Sequence, residues 1–305
     1  MRPDSNPREN AATFLGVLAI LFWSTTIAFS RSLTEMLGVF TAASWIYVGS
    51  GALGVLCLLC YPWQWRKLGA IPRNYWLGCG AFFVLYMVCF HSAVGLSSNR
   101  QQVVEVGLIN YLWVSLTLLL SIPILKKKAR RGLGLGIVVA CAGILIAKSP
   151  SGSLGWNGLV ENGRGGAVPY ALAFVAAVAW ALFNNFSRRW GGETDGGAVP
   201  VFLLISGLVL LAFRYWITET PHWTPRVMIE LAYMIVFPTL LAYVFWDAGM
   251  RKGKIVPLAS LSYLIPLLST IISCVYLRVM PGPGLWLACA MVIGGAAICK
   301  RSVAD

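Results

Sequence analysis

Two kinds of side chain in this 305-residue chain could do chemistry because apolar sequence surrounds them: acids, and aromatics with a polar tip. An ionisable group inside a bilayer costs about 3 kcal/mol on insertion scales, which makes each one a candidate functional group. Glu105 lies one turn into an apolar stretch, where it could couple protons, hold an amine or act as a buried structural acid. Asp247 stands just before Arg251, Lys252 and Lys254, and reads more simply as their partner at an interface. His91 has no second ligand at metal spacing, so it reads as a satisfied polar contact, and no metal or other cofactor is expected. The aromatics Trp23, Tyr86, Tyr111, Trp113, Trp180, Tyr243 and Tyr263 fall in the middle of apolar stretches. A hydroxyl or indole N–H at that depth needs a partner, so these residues should face an interior cavity rather than lipid. Such a cavity suits an amphipathic or aromatic solute.

The elements that must position them are membrane helices. Hydrophobic residues make up 58% of the chain, charged residues 11%, and mean hydropathy is +0.74. A soluble domain carries roughly a quarter charged residues. The apolar blocks are long enough to cross a hydrocarbon core, which takes about 20 residues of helix, and they read as ten spans. These run over 12–30, 38–61, 75–96, 102–125, 132–148, 167–187, 198–217, 227–249, 255–277 and 284–299. Segments such as Leu203–Phe213 do not alternate, which excludes a β-barrel. The expected class is therefore an all-α polytopic membrane protein of ten transmembrane helices with no soluble domain.

Net charge is +13, but its placement follows topology rather than a nucleic-acid surface. Of 24 Lys and Arg, 17 fall at the two termini and the loops after even-numbered spans. The other 7 fall at the remaining loops, which puts both termini in the cytoplasm. The eight cysteines sit in or beside spans; Cys57 and Cys60 read as small buried apolar residues, not a redox pair. The polar start runs into a first span long enough to remain as an anchor, and no cleavable signal peptide is evident. Trp63, Trp65, Tyr75, Trp76, Tyr215, Trp216 and Trp223 suit an interfacial aromatic belt.

The chain also resembles itself. Trp23, Phe29, Ser30 and Arg31 are matched by Trp180, Phe186, Ser187 and Arg188, each 157 residues on. Asn110-Tyr111-Leu112 matches Ser262-Tyr263-Leu264, and Gly143 matches Gly295, at an offset of 152. Five spans per half is an odd number, so the second half must lie upside down. Residues 12–148 then form a first five-helix repeat, 149–166 an outward-facing connection, and 167–300 a second, inverted repeat. Pro266 lies three residues after Tyr263, Pro238 is mid-span in the eighth span and Pro123 ends the fourth; such interruptions are tolerated where backbone lines a cavity. The runs Gly132-x-Gly134-x-Gly136 and Gly294-Gly295 allow close helix packing. A P-loop is absent from the sequence, so any pumping would draw on an ion or substrate gradient.

Four segments carry a family likeness. Phe22-Trp23-Ser24-Thr25, Glu105 to Trp113, Ala242-Tyr243-x-Phe245-Trp246-x-Ala248-Gly249 and Ser262-Tyr263-Leu264-x-Pro266 resemble the drug/metabolite transporter superfamily with EamA-type repeats. Within it they are most similar to the YddG-type aromatic amino acid exporters. The resemblance implies ten spans in two inverted five-span repeats and export of aromatic and other neutral amino acids from a bacterial cytoplasm. Alternating access across the inner membrane by a monomer, with protons as candidate coupling ions, is the expected mode. It places Tyr111, Trp113 and Trp180 at the lining of an aromatic cavity. Tyr86 would join them, with Asn110 and Tyr263 as polar contacts for the charged ends of the cargo. Two departures from the pattern are Val114, where relatives often have proline, and Asp247, where they often have asparagine. A drug or other metabolite carrier of the same fold, and a channel, are the alternatives. An enzyme is not expected, since His91 and His222 are the only histidines and stand apart.

Overall fold

In a computed structural model the described residues are 7–60, 68–69, 71–129, 132–147, 166–190, 198–252, 258 and 261–304. Most of the 149–166 connection therefore lies outside them, as do Trp63 and Trp65. The helices are α1 Pro7–Leu37, α2 Val39–Leu59, α3 Tyr75–Gly95, α4 Arg100–Asn110, α5 Trp113–Leu125 and α6 Gly132–Ala147. After the connection come α7 Ala167–Trp190, α8 Val199–Trp216, α9 Pro225–Met234, α10 Ala242–Lys252, α11 Ile265–Leu277 and α12 Pro283–Arg301. Among the described residues seven continuous helical stretches are long and apolar enough to span a bilayer, and three shorter apolar helices accompany them. Lys128–Ala129 pairs antiparallel with Val303–Ala304, a two-residue ladder that brings the C-terminal end against the basic loop after α5. The architecture is that of an all-α polytopic membrane protein. Lipid-facing side chains such as Leu77, Val138, Ile229 and Val275 are all more than half exposed, which only a hydrocarbon surround makes favourable.

The first helix runs seven residues past the apolar block that predicts it. Arg31 Nε donates to Glu35 one turn on at 2.9 Å, and its Nη1 donates to the Ser97 carbonyl at 2.9 Å. Both contacts support helical backbone where apolar pattern has stopped. The helix then ends at Gly38, whose φ of 89° suits a residue without Cβ. The next helix has no cap of its own. Glu219, from the α8–α9 loop, accepts from the backbone N–H of Phe40 at 3.0 Å and Thr41 at 2.8 Å, so a distant carboxylate satisfies the start of α2.

Two helix pairs touch backbone to backbone. A Cβ on Gly51 of α2 would lie 2.3 Å from the Leu204 nitrogen of α8, and one on Gly207 of α8 would lie 2.4 Å from the Val48 nitrogen. Gly136 of α6 and Gly295 of α12 back onto each other's carbonyls in the same way. Gly134 and Gly294 face open space, so only part of each glycine run does the packing. Element boundaries also recur. The α2 and α8 helices start at residues 39 and 199, and two π-helical turns, Tyr75–Cys79 and Ile235–Leu241, start at 75 and 235, an offset of 160 both times. The offset is 152 for α5 and α11 at both ends, and each is capped by a left-handed residue, Lys126 and Arg278, at φ 55°.

Three expectations need correction. Tyr75 does not join an interfacial belt: it is buried, its ring centroid 5.8 Å from that of Phe202, while Trp76 stays half-buried against the same ring at 5.5 Å. Cys57 and Cys60 are exposed on the lipid side, where a thiol is tolerated, and form no disulfide. The fourth span breaks at Tyr111–Leu112 without a proline. There Leu112 N donates to Ile109 O at 3.0 Å and Val114 N to Tyr111 O at 3.3 Å, so tight i→i+3 bonds make the kink.

Candidate central cavity

The kink between α4 and α5 presents Asn110, Tyr111 and Trp113 at mid-depth, and other helices bring their aromatics to the same level. Gly107 permits this: a Cβ there would lie 2.4 Å from Ile27 Cδ1, so α4 lies directly on α1. Across from it, Pro238 is held in a π-helical turn, whose wider spacing accommodates a residue that lacks N–H. Together they enclose a cavity of about 50 Å³, room for a few water molecules, lined by Tyr86, Asn110, Tyr111, Trp113 and Trp180 from the expected set. Trp23, Thr26, Tyr47, Thr239 and Tyr243 complete its functional wall.

Trp180 organises the aromatic side of this wall. Its ring lies 4.7 Å from Tyr86, 4.9 Å from Phe183, 5.7 Å from Tyr243 and 6.4 Å from Trp23, centroid to centroid. Trp23 in turn meets Tyr243 at 5.1 Å and Trp246 at 5.2 Å. Each such pair is worth about 0.5–1.5 kcal/mol beyond area burial, so the rings form a rigid apolar box.

The polar atoms on the wall are more informative than the rings. Trp23 Nε1, Thr26 Oγ1 and Asn110 Oδ1 are buried and have no hydrogen-bond partner among the described residues. Leaving such groups unpaired costs about 1–3 kcal/mol each, so a native cavity that keeps three of them is shaped for something that supplies the partners. The set is two donors, an indole N–H and a hydroxyl, and one acceptor, an amide carbonyl. A carboxylate takes the donors; an ammonium takes the acceptor. None of the lining side chains is charged.

The remaining sequence-selected residues lie elsewhere. Glu105 is on α4 away from the cavity wall, accepting from the Tyr170 hydroxyl and from Gln101 Nε2 at 3.4 Å. His91 stands behind the wall: its Nδ1 shares a 2.9 Å hydrogen bond with the Tyr47 hydroxyl, and its Nε2 lies 3.5 Å from Ser30 Oγ. Tyr263 belongs to the 3₁₀ turn Ser262–Leu264 that starts the second broken helix; its side chain, like that of Asp247, lies outside the described residues. Trp23 was legible in the sequence as a mid-span aromatic, and Thr26 one turn on shares its face. Glu230 carried a signal too, as an acid inside the predicted 227–249 span, and it is buried in the structure.

Comparison with known proteins adds a family. The EamA-like transporter family matches residues 10–148 and again residues 168–300. The aromatic amino acid exporter YddG of Escherichia coli K12 is 30% identical over 290 residues, 94% of this chain and 96% of its own length. YddG exporters of Salmonella typhimurium and Ancylobacter novellus are each 28% identical, over 94% and 95% of the chain. A crystal structure of a protein 26% identical in sequence superposes with a TM-score of 0.69, covering 96% of this chain and 97% of the other.

Proposed function

The chain belongs to the EamA-like transporter family, and on that premise we propose that it exports aromatic and other neutral, hydrophobic amino acids across the bacterial inner membrane by alternating access. It is a membrane transporter, not an enzyme. The observation that carries the cargo class is the unpaired trio in an uncharged aromatic box: Trp23 Nε1, Thr26 Oγ1 and Asn110 Oδ1. A zwitterion is complementary to it end for end, its carboxylate on the two donors and its ammonium on the amide oxygen, with an apolar side chain against Trp180, Tyr86 and Tyr243 once alternating access widens the cavity beyond its present few-water volume. A phosphorylated or anionic solute would find no lysine or arginine on the wall. Without an ionic clamp the binding is weak and tolerant of side chains, as suits export from a high internal concentration.

In this reading the halves are inverted repeats with both termini in the cytoplasm. The recurring element starts at 39/199 and 75/235 support the repeat, and the two broken helices α4–α5 and Ser262–Leu277 are its moving parts. The end of the bundle where α1 and α11 finish and α4 and α9 begin is then the outer one. The transporter works as a monomer. Glu105 is the coupling or structural acid, and flux with and without a pH gradient in Glu105→Gln distinguishes those roles.

The test is uptake of phenylalanine, methionine and threonine into proteoliposomes, with counterflow as the mark of a carrier rather than a channel. Saturable flux and counterflow are expected. No flux for any of the three would sink the reading.

A further inference from the structure

Glu230 is a buried carboxylate paired on one oxygen only. It is 4% exposed. Its Oε1 accepts from Arg226 Nε at 2.6 Å and from the Tyr276 hydroxyl at 2.5 Å. Its Oε2 is buried with no hydrogen-bond partner among the described residues. A carboxylate offers about four lone-pair sites, so half of this one's accepting capacity takes no partner from the described residues. The neighbours are aromatic: Tyr276 stacks on Phe29 at 4.6 Å, and Phe29 packs on Tyr233 at 4.9 Å. One of those rings already holds a cation, with the Arg226 guanidinium carbon 5.5 Å from the Tyr276 centroid. A carboxylate beside ring faces is a setting that attracts an organic ammonium. The Arg226 side chain is 71% exposed, so its head group can swing into the outer solution.

This acid is connected to the central cavity by two helix faces. On α9, Glu230 stands one turn outward of Met234, which lines the cavity. On α11, Ile265 lines the cavity, and Ser269, Ser273 and Tyr276 follow it along one stripe at helical spacing, about 16 Å in all. Both serine hydroxyls are buried without a hydrogen-bond partner in good geometry among the described residues, Ser269 lying beside the Tyr111 hydroxyl. The stripe is therefore an interrupted line of polar groups from the cavity to the acid.

We propose that Glu230 is a second, outer station for the ammonium group of the cargo, reached along the Ser269–Ser273 face of α11. This rests on the amino acid reading above. The cargo ammonium replaces Arg226 at Glu230, Arg226 moves outward, and its return displaces the cargo to the outside. One ion pair opens as another forms, and no proton changes place.

The probe is phenethylamine, an ammonium with an aromatic ring and no carboxylate, added to the outer side of proteoliposomes exporting phenylalanine. Wild type should be inhibited. Glu230→Gln should raise the half-inhibitory concentration about tenfold, and Arg226→Gln, which removes the resident competitor, should lower it several-fold. Equal shifts in the same direction from both variants would mark a purely structural ion pair and overturn the proposal, as would an uninhibited wild type that still exports. Calorimetric titration of the purified protein with phenethylamine needs no flux. If wild type exports no phenylalanine, the amino acid reading falls; phenethylamine binding lost in Glu230→Gln would still uphold the ammonium site, and binding unchanged by the substitution would overturn it.

Discussion

The central cavity and the rim at one end of the bundle, where α1 and α11 finish and α4 begins, handle polar groups in opposite ways. In the cavity, three uncharged donors and acceptors are buried without partners among the described residues. At the rim, charges are matched to one another: Glu35 takes Arg31 at 2.9 Å and Arg100 at 2.6 Å, and Arg100 Nη1 reaches the last-turn carbonyl of Leu277 at 3.0 Å. Glu219 is shared between Arg214 and the start of α2, and Glu230, matched on one oxygen only, is the exception among these acids. The Glu35 and Arg100 contacts tie α1, α4 and α11 together at this end of the bundle. The difference teaches what each region is for. Groups that must close on each other are complementary within the protein, and groups that must close on cargo are complementary only to the cargo.

If that contrast is right, damage to the cavity should change transport, and damage to the rim should change stability or the balance of states. The largest expected effect is Trp180→Ala, which removes five ring contacts and should lower phenylalanine flux at subsaturating concentration by about tenfold or more. Wild-type flux would take Trp180 out of the site; Trp180→Phe should fall between the two. Next comes Glu219→Gln, which weakens the borrowed cap of α2 and should lower thermal stability by about 1–2 kcal/mol while leaving the phenylalanine KM unchanged. A raised KM with unaltered melting would break the comparison. Trp23→Phe keeps an aromatic ring but deletes the N–H together with the five-membered ring that carries it. Its KM for phenylalanine should rise about fivefold, the value of roughly one hydrogen bond, and KM for phenethylamine, if carried, should not. The smallest effect is expected of Arg100→Gln. Its pair with Glu35 is half exposed and worth about 0–1 kcal/mol, so the change in flux should stay near twofold and fade as salt is raised.

The sequence carried the cavity's aromatics and the membrane class because both rest on one physical rule, that hydrocarbon tolerates apolar surface and isolates polar tips. Tyr86, Tyr111, Trp113 and Trp180 were recognisable from depth alone, and the structure brings them to one wall. The partners at the rim were not recognisable in that way. Glu219 caps a helix some 180 residues earlier in the chain, and no local pattern announces a borrowed cap. The extension of α1 to Leu37 likewise depends on Arg31 and Glu35, which a hydropathy window reads as the end of a span. The kink at Tyr111–Leu112 has no proline to announce it, since Val114 stands where relatives often carry one, and backbone tightening makes it instead.

The glycine contacts between α2 and α8 and between α6 and α12 also set a timetable for synthesis. The ribosome delivers α2 about 160 residues before α8, and α6 about 150 before α12. Until then, Gly51 and Gly136 offer bare backbone to lipid, with no chain yet made that can lie against them. The first half thus inserts with these two glycine seams unfilled, and α12 closes the second of them. A transcript cut short after the first half would leave those seams open to any membrane chaperone or protease that surveys unpaired spans.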